Sequence, residues 1–165
     1  MIIDVSNILK AEGSRIDIND TLELKNMEFN GDYYQFNGPI KVVGSILNIG
    51  NVLRLNADVK AEIIVQCYRC NKEMVESISF PLEEALVKNN AATITDEDAV
   101  RFDGNRIDLS EVIVSNIILN MSMKYLCSQE CKGLCPKCGV DLNTNQCDCQ
   151  EETIDPRLEI LKKLL

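Results

Sequence analysis

Residues 127–149 contain six of the eight cysteines in this 165-residue chain and read Cys-Ser-Gln-Glu-Cys-Lys-Gly-Leu-Cys-Pro-Lys-Cys-Gly-Val-Asp-Leu-Asn-Thr-Asn-Gln-Cys-Asp-Cys. The other two, Cys67 and Cys70, form a lone Cys-x-x-Cys far upstream. Eight thiolates supply two complete sets of four, and thiolate sulfur is a ligand that zinc prefers. Four sulfur ligands leave a zinc ion no open position for water or substrate. The sequence therefore predicts two zinc sites that are structural.

The spacing of the cysteines suggests how they divide between the two sites. Cys135-Pro-Lys-Cys138-Gly is typical of a zinc knuckle, and Cys147-Asp-Cys149 follows closely enough to complete a compact site. The expected second site contains the remaining four residues, Cys67, Cys70, Cys127 and Cys131. An exchanged arrangement, in which Cys67 and Cys70 join Cys135 and Cys138, stays open. Thiol redox chemistry at these cysteine pairs is the other functional interpretation.

Composition narrows the possible classes of function. The formal net charge of −9 disfavours binding to bare nucleic acid, which relies on neutralising phosphates with Lys and Arg. The chain has no histidine, and this removes the usual general base and every His-activated nucleophile. Asp4 interrupts the N-terminus before any apolar run of signal-peptide length, and no segment is as long as a membrane helix. A cytoplasmic protein is expected. In that reducing compartment, paired cysteines more often bind a metal than form disulfides.

A long β-hairpin is the clearest structural prediction. Segments 39–49 and 51–66 flank a turn at Asn48-Ile49-Gly50-Asn51. From Leu53 to Val65, alternate side chains are apolar and the intervening ones are mostly polar, which is typical of an antiparallel sheet with one buried face. The alternation resumes from Met74 to Leu82. The Cys-x-x-Cys between these strands is therefore expected at the tip of a second hairpin.

Weaker patterns surround this hairpin. The first 36 residues are expected to form strand pieces in which Tyr33, Tyr34 and Phe36 pack into a core, while an aromatic surface that stacks on bases is the alternative. Residues 83–106 are more polar and predict a mobile surface loop, with a functional acidic patch at 95–98 as the alternative. Within this segment, Asp103-Gly104-Asn105 predicts a small hairpin that pairs Val100–Phe102 with Arg106–Leu109.

Two helices are expected in the second half of the chain. Residues 109–123 are apolar around most of a helical circumference, so this helix should be buried against the sheet, with Asp108 or Ser110 as its N-cap. Partial cover by another chain or partner is the alternative. Residues 154–165 begin with Asp155 and Pro156, a favourable helix start, and carry a leucine stripe. This C-terminal helix is expected to fold back onto the domain, and binding to a partner is the alternative.

Together these patterns predict an α+β fold. An antiparallel β-sheet, as a meander or partly closed barrel, is packed by a central helix and carries a Cys-rich zinc-binding module and a C-terminal helix. Residues 1–126 are expected to hold the sheet and buried helix, and residues 127–165 the zinc-binding module and C-terminal helix, packed on the same domain.

The cysteine pattern and the segments around it resemble a known family. The matching motifs are Cys67-Tyr-Arg-Cys70, Ile107-Asp-Leu109, Cys131-Lys-Gly-Leu-Cys135-Pro-Lys-Cys138-Gly with Leu142-Asn143, Cys147-Asp-Cys149 and Asp155-Pro-Arg-Leu158. Over roughly residues 40–165 they resemble the YceD family of large ribosomal RNA subunit accumulation proteins, in its cysteine-rich bacterial form. The resemblance implies a role in the synthesis, processing or stability of large-subunit ribosomal RNA. It supplies no catalytic residues, because none are established for the family.

Two classes of function follow. The expected one is a non-enzymatic factor in large-subunit biogenesis that contacts a ribosomal protein, precursor ribosomal RNA or both, with no membrane and no small-molecule substrate. Residues 82–111 carry eight acids against three Lys or Arg, which favours a basic protein. The alternative is an RNA-processing enzyme such as a metal-dependent nuclease, for which Asp96, Glu97 and Asp98 are the dense acid cluster. The sequence leaves the direct partner and the oligomeric state open.

Overall fold

The computed structural model of the chain describes residues 1–29, 31–50, 52–89 and 99–149. The C-terminal helix predicted at 154–165 and the acidic cluster at 96–98 lie outside these residues. The described elements are β1 (Ile2–Asp4), β2 (Arg15–Leu22), β3 (Asn26–Phe29), β4 (Asp32–Phe36), β5 (Ile40–Asn48), β6 (Leu53–Gln66), β7 (Glu73–Lys88), β8 (Val100–Phe102), β9 (Arg106–Asp108) and α1 (Ser110–Asn120). The described part of the chain has no helix long and apolar enough to cross a membrane.

Seven strands form one sheet around β6. The predicted hairpin of β5 and β6 is confirmed, with Asn48 opposite Leu53. On its other edge, β6 pairs antiparallel with β7 along its whole length, ending with Gln66 opposite Glu73. β4 pairs with the far half of β6, β2 pairs with β5, and β3 pairs with β4. Among the described strands this antiparallel path does not return to its start, so closure into a barrel is not confirmed.

The buried face of β6 agrees with the sequence pattern. Seven alternate side chains are buried: Leu53, Leu55, Ala57, Val59, Ala61, Ile63 and Val65. Period-2 alternation puts all of them on one face of the sheet, where they form the centre of the core. Ile113 and Ile117 of α1 are fully buried in the same core cluster, so the helix packs on the sheet as predicted.

Two predictions for residues 83–109 are wrong. Residues 83–88 are not a loop: they continue β7, because Leu86 and Val87 are both fully buried. β8 and β9 flank the expected turn but do not pair with each other. β8 adds to the edge of β7 in parallel, and β9 pairs antiparallel with β1 in a separate two-stranded sheet. The turn is present, but the partners of the two strands come from other segments of the chain.

The ends of α1 also differ from the prediction of 109–123. The N-cap is Leu109, not Asp108 or Ser110. The Asp108 carboxylate instead accepts hydrogen bonds from the backbone N–H of Ser110 (2.9 Å) and the N-terminal amine of Met1 (3.3 Å). Hydrogen bonding from the side chain and backbone of Ser110 lowers the pKa of Asp108 to about 2. At the other end Met121 is extended, with ψ of 140°, so the helix ends three residues earlier than expected.

Candidate metal centres

Four cysteine sulfurs meet where the β6–β7 hairpin contacts the chain after α1. They belong to Cys67, Cys70, Cys127 and Cys131, and all lie within 4.8 Å of one another. The Cys67–Cys131 and Cys70–Cys127 Sγ pairs are 3.8 Å and 3.6 Å apart. A tetrahedral zinc ion with bonds of about 2.3 Å to sulfur requires sulfur–sulfur distances of about 3.8 Å. This first cluster therefore has the dimensions of a four-thiolate zinc site.

The hairpin tip is fixed to the first cluster by Arg69. Its guanidinium donates hydrogen bonds to the carbonyl oxygens of Gln129 (3.2 Å) and Cys131 (2.8 Å). Its own carbonyl accepts the N–H of Leu134 at 3.0 Å. Gly133 permits this approach: its φ is +78°, and a Cβ there would lie 2.9 Å from the Arg69 carbonyl oxygen. Arg69, between Cys67 and Cys70, thus also positions the segment 129–134 beside the hairpin tip.

The second cluster lies within one compact segment. The sulfurs of Cys135, Cys138, Cys147 and Cys149 all lie within 4.8 Å of one another. The N–H of Gly139 donates to the Cys135 carbonyl (2.9 Å), and the N–H of Cys135 donates to the Val140 carbonyl (2.8 Å), closing a tight turn around the first two sulfurs. Cys135 is buried, whereas Cys138 and Cys149 are exposed. This cluster is therefore nearer to solvent than the first, in which Cys67, Cys70 and Cys131 are buried.

Both clusters polarise their thiols in the same way. Hydrogen bonds from the backbone of Cys127 and then Cys70 lower the pKa of Cys67 to about 6, and those from the backbone of Cys138 and then Lys137 lower the pKa of Cys135 to about 6. Hydrogen bonds with neighbouring sulfurs, led by Cys131, raise the pKa of Cys127 to about 12. Crowded sulfurs that share protons are a favourable set of donors for a cation that displaces those protons.

Asn143 lies in the segment that carries the second cluster and donates a hydrogen bond to the first cluster, a role that sequence reasoning missed. Its side-chain oxygen accepts the backbone N–H of Lys132 at 2.8 Å. Its side-chain amide donates to the sulfur of Cys131 (3.5 Å) and to the Asp141 carboxylate (2.6 Å). Hydrogen bonds to a ligand sulfur orient the ligand and tune its charge. Arg69 was missed as well, because neither side chain has a ligand atom for zinc and only the fold brings them to the sulfurs.

The eight predicted ligands are thus brought together in two groups of four. Cys67 and Cys70 lie with Cys127 and Cys131, and the structure does not place them with Cys135 and Cys138. All eight cysteines are free thiols. The donor sets fit zinc in number, chemical type and spacing. That a metal occupies them, and that it is zinc, stays a prediction.

Comparison with known proteins connects this arrangement to a family. The family described as large ribosomal RNA subunit accumulation protein YceD matches residues 55–165. YCED homolog 1, a chloroplastic protein of Arabidopsis thaliana, is 28% identical over 146 residues, covering 71% of this chain and 46% of the relative. A Mycobacterium tuberculosis protein is 33% identical over 110 residues, covering 65% and 53%. YlbN of Bacillus subtilis is 23% identical over 151 residues, covering 90% and 87%.

These matches differ in how much of each relative they cover. The chain spans about half the length of the chloroplastic and mycobacterial relatives and most of YlbN. No solved structure matches it. The family match begins within β6 and includes β7, α1 and all eight cysteines. The chain therefore belongs to the YceD family of large ribosomal RNA subunit accumulation proteins.

Proposed function

We propose that this protein is a non-enzymatic factor in large ribosomal subunit biogenesis that supports the synthesis, processing or stability of large-subunit ribosomal RNA. The family match over residues 55–165 is the observation that carries the proposal. The factor works in the cytoplasm and contacts a ribosomal protein, precursor ribosomal RNA or both. Residues 1–126 provide the sheet and helix, and residues 127–165 provide the zinc-binding module and the C-terminal helix.

Two structural zinc ions are the second part of the proposal. Each four-sulfur cluster fills a tetrahedron by itself, which leaves no coordination position for a substrate. Cys67, Cys70, Cys127 and Cys131 would hold one ion, and Cys135, Cys138, Cys147 and Cys149 the other. The first ion would fix the β6–β7 hairpin to the chain that follows α1, and the second would stabilise the turn-rich segment beyond it. Their contribution is to folding rather than to chemistry on RNA.

The absence of histidine supports a non-enzymatic role, since the commonest general base is missing from the whole chain. The nuclease alternative depends on Asp96, Glu97 and Asp98, which lie outside the described residues. No arrangement in the described part of the chain favours that alternative.

The function is tested by removing the gene and measuring ribosomal RNA. We expect the ratio of large-subunit to small-subunit ribosomal RNA to fall, and to recover when the wild-type gene is returned. The strain that carries the returned wild-type gene is the control for the deletion. An unchanged ratio in the deletion strain would contradict the proposed function whatever the protein binds in vitro.

The metal assignment has its own test. Native mass spectrometry of the protein purified without chelators should show two zinc ions per chain, and Cys70→Ser should retain one. A metal-free protein with titratable disulfides would favour the thiol redox interpretation.

A further inference from the structure

All four tyrosines of the chain line one groove beside the first cluster. The groove has a volume of about 460 Å³. It is lined by residues 64–66 at the end of β6, by Tyr33 and Tyr34 of β4, by the segment 122–125 and by Tyr68. The chain has no tryptophan, and its aromatic residues are four Tyr and four Phe. Half of its aromatic residues therefore line this one groove.

The groove exists because β6 loses its neighbour before it ends. β4 pairs with β6 only through Gln35 and Phe36, although β4 itself begins at Asp32. The next segment to reach this edge arrives at Tyr68, whose N–H donates to the Tyr125 carbonyl at 2.8 Å. Between these two points, no paired strand covers the edge of β6 in the described part of the chain. An open strand edge offers backbone donors and acceptors to an extended peptide.

The side chains around the groove favour a positively charged occupant. Tyr33 and Tyr68 are 75% and 68% exposed, and the ammonium of Lys124 already lies 4.6 Å from the centre of the Tyr68 ring. That contact shows a tyrosine face of this groove accepting a cation. Glu73 lines the groove, and Glu76 lines an adjoining cleft with Tyr125. Within the described residues, neither carboxylate has an ion-pair partner within 4 Å.

The charge of the whole chain points in the same direction. The formal net charge is −9 before any thiolate is counted. Each zinc ion bound by four thiolates adds two further negative charges, because four thiolates outweigh one divalent cation. This negative charge and the two carboxylates would repel the phosphates of RNA. Among the residues that line the groove, Lys124 is the one cation that would attract them. Arginine and lysine side chains would instead meet both carboxylates and tyrosine faces.

We propose that this tyrosine groove binds an extended, arginine- and lysine-rich segment of a partner protein. The segment would lie along the open edge of β6, with its cations against Tyr33, Tyr68 and Glu73. The proposal rests on the proposed function only for the source of the segment, a basic protein of the large ribosomal subunit.

The test measures binding of a short fluorescein-labelled peptide of alternating arginine and glycine, by fluorescence anisotropy at low salt. Replacing both exposed tyrosines, Tyr33→Ala with Tyr68→Ala, should weaken binding about tenfold without changing the net charge. Leu119→Ala is the matched control, since Leu119 is 79% exposed on α1 and does not line the groove. With the unlabelled peptide, which has no aromatic residue, the intrinsic tyrosine fluorescence of the wild-type protein should also change as the groove fills.

Three outcomes would overturn the inference. One is equal binding by the double variant and the wild type, since attraction to net charge alone would then explain the affinity. Another is an equal loss of affinity in Leu119→Ala. The last is tighter binding of oligouridylate than of the peptide, which would identify RNA as the occupant. Each is measured in vitro and is independent of the ribosomal RNA ratio in the deletion strain, so either proposal can fail while the other stands.

Discussion

Gly133 lies against Arg69 of the hairpin tip, and its substitution tests that contact. Gly133→Ala adds a Cβ at 2.9 Å from the Arg69 carbonyl oxygen and places alanine at a φ of +78°. We expect a loss of about 2 to 3 kcal/mol in the free energy of unfolding, because backbone strain and a backbone clash act together. Urea denaturation of the zinc-saturated protein measures it.

Gly104→Ala provides the control for this prediction. Gly104 has a φ of +69°, but a Cβ there would meet nothing within 4 Å. Only the left-handed backbone then contributes, and the expected loss is about 1 kcal/mol. Equal losses for the two variants would show that the Arg69 contact adds nothing to stability.

Asn143 tests whether hydrogen bonds around the first cluster tune its metal. Asn143→Ala removes the donor to the Cys131 sulfur and the acceptor for the Lys132 N–H. Loss of such a partner typically weakens metal affinity about 10- to 100-fold, so zinc should leave the first cluster at lower chelator concentration. Competition with a chromogenic chelator measures this. Asn145→Ala is the control, because among the described residues the Asn145 side chain bonds the Thr144 hydroxyl and no cysteine sulfur; the same loss there would contradict the assignment.

Among the elements, the two clusters close loops of very different length. The first joins the β6–β7 tip to residues after α1, whereas the second lies within 135–149. On a cross-link entropy basis, closing a loop of about 60 residues contributes roughly 4 kcal/mol, against roughly 3 kcal/mol for one of about 10. Cys70→Ser should therefore lower the free energy of unfolding more than Cys138→Ser, each with loss of one zinc ion. A larger loss in Cys138→Ser would show that the second cluster supports the sheet.

Local sequence patterns predicted the elements whose partners are close along the chain. Alternation identified β6, its buried face and the hairpin with β5, because each strand's neighbour follows directly. The same reasoning failed for β8 and β9: Gly104 lies in the turn between them, but β8 pairs with β7 and β9 pairs with β1, and local sequence does not specify those partners. The number and spacing of the cysteines suggested the two sets of four but left the exchanged set open. Only the fold shows that Cys67 and Cys70 lie beside Cys127 and Cys131.

At the scale of the whole molecule, the described residues form a main apolar core and a small one at the first cysteine cluster, and Met74 packs against both. The main core includes residues from every strand of the large sheet and from α1, but no cysteine. The small core contains Cys67, Cys70 and Cys131, with Met74 and Leu126 packed against it. Since the larger core contains no sulfur ligand, we expect its stability not to require a metal. In the described part of the module, residues 127–149, only Cys131 and Cys135 are buried apolar side chains, and small units with so little core usually depend on metals or disulfides.

Metal removal should therefore unfold one part of the protein and leave the other. With chelator, we expect backbone amides in 127–149 to lose protection from hydrogen exchange, while amides of β6 keep it, because the sheet retains its core. The far-UV circular dichroism signal of the β-sheet should persist. The melting temperature should fall, because the metal would no longer link the hairpin tip to the module. Hydrogen exchange followed by mass spectrometry resolves the two segments in one experiment, with untreated protein as the reference. If β6 lost protection together with the module, the clusters would be required for the sheet itself, and residues 1–126 would not form a self-sufficient part of the fold.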